Sequence, residues 1–184
     1  MTAKNPVIGT IAAWWGVLGV VAILLFAIVR LAAYTQEAIA GGLDLLHWIV
    51  LIANVVFMAW VEGYRGFQRR FSPRVTARAF YLSRNATPLH ALLAPLFCIS
   101  YFHANTHAVA AAWLGTVGII VLVFLFHQLD QPWRGILDAG VVVGLSWGLL
   151  SILALSLKTF RAGCYYHSPD IPGVAVEIVP AAQK

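Results

Sequence analysis

Histidines and one acidic residue carry the first chemical suggestion in this chain. Asp44 and His47 are three residues apart, and His103 and His107 are four apart. On a helix each pair shares one face. A carboxylate with three imidazoles is an adequate ligand set for Zn, Cu or non-haem Fe. His90 and His127 form a second pairing, suited to axial ligation of a b-type haem if the two face each other. The bland alternative is a set of interfacial histidines that are solvated or hydrogen-bonded, with no cofactor. His167, three residues after Cys164, lacks further ligands nearby. There is no Gly-rich phosphate loop, no GxSxG elbow and no HExxH.

The elements that must position these groups are apolar. Of the 184 residues, 61% are hydrophobic and 10% are charged. A soluble domain carries about 25% charged residues, so lipid must be the main solvent. The expected fold class is an all-α, polytopic membrane helical bundle. The apolar runs fall at 8–33, 45–63, 88–102, 108–126 and 135–157. The first is too long for a signal-peptide core and reads as a retained span. The third is short of the roughly 20 residues a span needs and is interrupted by Pro95. Five spans are favoured over four with a third run that dips in and returns. One transmembrane domain covers 1–162, followed by an irregular tail at 163–184. That tail carries three prolines and a strand-like run at 174–179.

Half of the twelve Lys and Arg residues lie in one stretch: Arg65, Arg69, Arg70, Arg74, Arg78 and Arg84. Loops rich in Lys and Arg stay on the cytoplasmic side. The N-terminus and the 65–84 loop are therefore expected in the cytoplasm, with the chain in a bacterial inner membrane. This loop accounts for most of the net charge of +5, so nucleic acid is not an expected partner. Ser72-Pro73 reads as a helix start, and the residues after it as a short interfacial helix. All six loop cations are Arg, which favours bidentate phosphate contacts. Anionic lipid headgroups are the expected ligand, at roughly 1 kcal/mol per basic residue near the surface. Glu62 is expected to pair with Arg65, three residues on.

Gly140, Gly144 and Gly148 recur at spacing four and form a flat stripe on a helix. Small residues so spaced let another helix approach closely. The mating helix comes from the same bundle or from another chain. Gly16 with Gly19, and Gly115 with Gly118, offer further surfaces. Arg134 and Asp138 are expected to pair at i,i+4.

The expected function is non-enzymatic: a small membrane scaffold or accessory subunit of a larger membrane complex. It would assemble by glycine-face packing, as a homo-oligomer or with other transmembrane helices, and touch anionic lipid through the Arg-rich loop. One alternative is a redox protein using a metal ion or haem b at the histidines named above. Another is a small transporter, with Asn54 and the run broken by Pro95 as its mid-membrane features.

Overall fold

The computed structural model describes residues 6–164 and 167–173. The strand-like run at 174–179 lies outside them. Every regular element among the described residues is helical. In order these are α1 (Pro6–Ala40), α2 (Leu45–Met58), a π-helical stretch (Ala59–Phe71), α3 (Ser72–Asn85), α4 (Pro88–Leu92), α5 (Ala94–Ile99), α6 (Thr106–His127) and α7 (Trp133–Ala162). Among the described residues four helices are long and apolar enough to cross a membrane: Val7–Ala40, Leu45–Asn85, Thr106–His127 and Trp133–Ala162.

The run at 88–102 is not a fifth helix of that length. It folds as two helices of five and six residues. The cause is local. Pro95 lacks an N–H and its ring crowds the carbonyl four residues back, so a helix cannot run through it unaltered. Ser100 then closes α5 in the left-handed region, with φ 77°.

The 65–84 stretch differs from expectation as well. It is not a loop, because helix continues without a break from Leu45 to Asn85. Ser72 does not cap a new helix: the preceding Phe71 is itself helical and no side chain caps the turn. The π stretch ends at Phe71, two residues before Pro73. A widened ladder is one way for a continuous helix to absorb a residue with no N–H to donate. One face of α3 is buried within the chain, at Val75, Ala77, Arg78, Ala79, Phe80 and Leu82, while Arg84 is exposed.

The chain forms two compact units. Of the described residues, unit 1 holds those from 6 to 21, Phe71–Trp113 and those from 152 to 173; unit 2 holds Ala22–Arg70 and Leu114–Ser151. Each of the four long helices contributes one end to each unit.

In unit 1 the first half of α1 packs on the short helices. A side-chain carbon on Gly16 would meet the Cys98 sulfur at 2.7 Å, and one on Gly19 would collide with the Pro95 ring. Trp14 stacks on Phe160 of α7 with ring centres 5.0 Å apart. The Trp15 indole N–H donates to the Leu92 carbonyl. In unit 2 the second half of α1 meets the start of α7. Thr35 Oγ1 donates to the Gly135 carbonyl, and Arg134 lies 3.6 Å from the centre of the Tyr34 ring.

Candidate functional site

Unit 2 contains a tight helix seam. Gly140 faces Asn54 and Met58, Gly144 faces Glu62, and Gly148 faces Phe67. A side-chain carbon on Gly144 would sit 2.7 Å from the Glu62 carboxyl oxygen Oε2, and one on Gly148 would sit 2.5 Å from the Phe67 ring. Asn54 Nδ2 donates to the carbonyls of Ile136 (2.8 Å) and Leu137 (3.3 Å). The Trp147 indole donates to Gln68 Oε1 at 2.7 Å. The glycine stripe of α7 is therefore filled by this chain's own α2 and π stretch. Gly115 and Gly118 of α6 differ, with no heavy atom within 4 Å of either added carbon.

Glu62 forms no pair with Arg65. No ion pair or hydrogen bond reaches it among the described residues, and its Oε2 is buried without a partner. Arg134 and Asp138 do pair, loosely, at 3.9 Å. His127 closes the same group: its Nδ1 lies 2.8 Å from the Val123 carbonyl and its Nε2 lies 3.3 Å from an Arg134 terminal nitrogen.

Unit 1 is organised around Arg78, which is fully buried. Its Nε donates to the Phe97 carbonyl at 2.6 Å, and Nη1 to Pro169 at 2.9 Å. Nη2 is shared between Phe102 at 3.0 Å and His103 at 3.2 Å. The guanidinium also lies over the Phe97 ring, 4.1 Å from its centre. Three non-glycine residues with positive φ sit in the segments that supply these carbonyls: Ser100 (77°), His103 (51°) and Asp170 (53°). Such angles are uncommon for side-chain-bearing residues and persist where surroundings enforce them. Asp170 receives Arg74 at 3.1 Å, and its carbonyl accepts the Asn105 N–H at 2.8 Å. Arg84 donates to the Gly163 carbonyl and lies over Phe80.

The six arginines thus separate. Arg74, Arg78 and Arg84 bind the segments after α5 and α7. Arg65, Arg69 and Arg70 are exposed on the π stretch, with Arg69 leaning over the Tyr64 ring. The burial of Arg78 had no signature in the sequence. Six cations in twenty residues look alike until the backbone carbonyls that engage one of them are known.

The histidines take local partners. Asp44 caps α2: its Oδ1 accepts the His47 N–H and contacts His47 Nδ1, each at 2.8 Å. The His47 ring lies edge-on to Trp133. These residues belong to unit 2, whereas His103 and His107 are exposed in unit 1. His90 belongs to unit 1 and His127 to unit 2. In unit 1 His90 pairs with His103, ring centres 4.9 Å apart, and packs on Phe97 and Phe102. Burial, with the His103 and Arg78 charges, pushes the His90 pKa below its ordinary value. Burial pushes the neighbouring Cys98 thiol up to about 12. Among the described residues no three His, Cys, Asp or Glu side chains gather closely enough to hold a metal ion. No family model, curated protein or solved structure matches the chain.

Proposed function

We propose that this is a non-catalytic membrane scaffold or accessory subunit with four spans, joined to other transmembrane helices through α6. The observation that carries this reading is the state of α6. Ala108 is its one buried residue, and every large apolar side chain from Trp113 to Leu125 is exposed. Gly115 and Gly118 leave an open notch in that surface, and a notch of small residues is what a second helix needs for close approach. The α7 stripe serves within the chain, so α6 replaces it as the docking face.

Topology follows from an even span count. The start of α1 and the end of α7 then lie on one side, with α4 and α5. Arg65, Arg69 and Arg70 mark that side as cytoplasmic. Lys158 and Arg161 near the end of α7 then fall on the same side, as the rule for basic residues favours. With five spans they would lie opposite. The three exposed arginines are the headgroup contacts we assign to anionic lipid.

Light scattering of the chain purified in mild detergent tests the docking face. The wild type should run as more than one chain, alone or with a partner. Replacing Gly115 and Gly118 with Leu should reduce it to a single chain. A wild type that is already a lone monomer would overturn the proposal.

A further inference from the structure

A carboxyl group sits in the α7 seam with nothing to neutralise it. Glu62 lies on the π stretch inside the apolar helix Leu45–Asn85. Its Oε2 is shut off from solvent and has no hydrogen-bond partner. Gly144 makes the space it occupies, since a side-chain carbon there would stand 2.7 Å from Oε2 and 3.0 Å from the carboxyl carbon.

The charged groups on both packed elements are otherwise placed. In the part of α7 that belongs to unit 2, Arg134 and Asp138 pair with each other. They stand ten and six residues from Gly144 along the chain. On the π stretch itself Arg69 lies over Tyr64, and Arg65 and Arg70 are exposed. No cation reaches Glu62 among the described residues.

An ionised carboxylate held this way, without counter-charge or donor, is strongly disfavoured. Glu62 stands at the end of the apolar run, three residues before Arg65, and π segments frequently occur at functional sites. We propose that Glu62 is a proton-binding site, holding its carboxyl as the neutral acid at neutral pH and exchanging that proton from within the seam. Gly144 provides the room for it, and the widened backbone aims it at α7.

Dicyclohexylcarbodiimide tests this on the intact chain in native membranes. The reagent partitions into apolar regions and needs a protonated carboxyl. The acid proton moves to one carbodiimide nitrogen as the carboxyl oxygen bonds to the central carbon. An oxygen-to-nitrogen acyl shift then leaves a stable N-acylurea, with nothing lost. Peptide mass spectrometry should find the adduct on Glu62 at neutral pH and not on the exposed Glu37. Labelling should fall at least tenfold as pH rises from neutral into the alkaline range, and Glu62→Gln should abolish it. If that variant fails to fold, the wild-type pH profile and the Glu37 comparison still decide. Absence of the adduct at neutral pH, or labelling of Glu62 no faster than Glu37, would overturn the proposal.

Discussion

The Arg78 guanidinium is bound twice to Phe97, through a 2.6 Å hydrogen bond to its carbonyl and by lying 4.1 Å from the centre of its ring. Helix α3 is thereby fixed to α5. The same side chain holds Pro169, Phe102 and His103 by their carbonyls. All its hydrogen-bond acceptors are neutral, so the charge is spread over dipoles and an aromatic face.

Removing that charge should unfold much of unit 1. Arg78→Met takes a donor from four carbonyls, of which Phe97 keeps the Ser100 N–H; the cost is about 1–3 kcal/mol for each buried group left unsatisfied. Arg78→Lys should restore little, because an ammonium lacks the planar fork that reaches several acceptors. Thermal unfolding in detergent should show a large drop in midpoint for both, against almost none for Arg65→Met. Equal midpoints for Arg78→Met and Arg65→Met would contradict the cage.

Acid should weaken the same unit. The His90 pKa lies below its ordinary value in the folded chain, first through burial and then through His103 and Arg78. The stabilisation this gives is present above the unfolded value of about 6.5. It is lost as pH falls through the lower folded value, because the unfolded chain binds the proton more readily. The unfolding midpoint should therefore fall on acidification below about 6.5, and His90→Phe should flatten that dependence. An unchanged slope in His90→Phe would remove His90 from the account.

Bulk on α7 and bulk on α6 should have opposite outcomes. Gly148→Leu drives a side chain into Phe67, and overpacking of this kind costs typically about 1–3 kcal/mol. Gly115→Leu meets open space. The first should lower folded yield and the unfolding midpoint; the second should leave both unchanged while lowering assembly mass. Equal stability loss in the two would show that α6 is packed within the chain.

Lipid selectivity should rest on three arginines, not six. Arg65, Arg69 and Arg70 are exposed, and a basic residue near a lipid surface contributes roughly 1 kcal/mol. Native mass spectrometry of the triple Gln variant should show fewer retained phosphatidylglycerol molecules than the wild type, with phosphatidylcholine unaffected. Unchanged retention would dissociate these arginines from lipid binding.

Much of the architecture was legible because lipid imposes a simple code. Long apolar runs gave α1, α2, α6 and α7, and the spacing of Gly140, Gly144 and Gly148 announced a close helix contact. Pro95 marked the one run that does not form a long helix. Hidden were facts that depend on which group meets which. Arg78 reads like its five neighbours by composition, yet it is buried. The Glu62–Arg65 spacing suggested a pair, but the π stretch alters which residues share a face, and Glu62 turns to Gly144 instead. Histidine spacing was visible, whereas assignment of Asp44 with His47 and of His103 with His107 to different units was not.

The most direct test of the account is a cysteine cross-linking scan along α6 in native membranes, in a Cys98→Ala, Cys164→Ala background. Single cysteines from Val109 to Leu125 would be oxidised and the products sized. Docking through α6 predicts cross-links that recur every three to four positions and peak beside Gly115 and Gly118. Uniformly absent cross-links along the whole helix, in a chain that also purifies as a lone monomer, would mean that α6 faces only lipid, and the proposed docking function would fall.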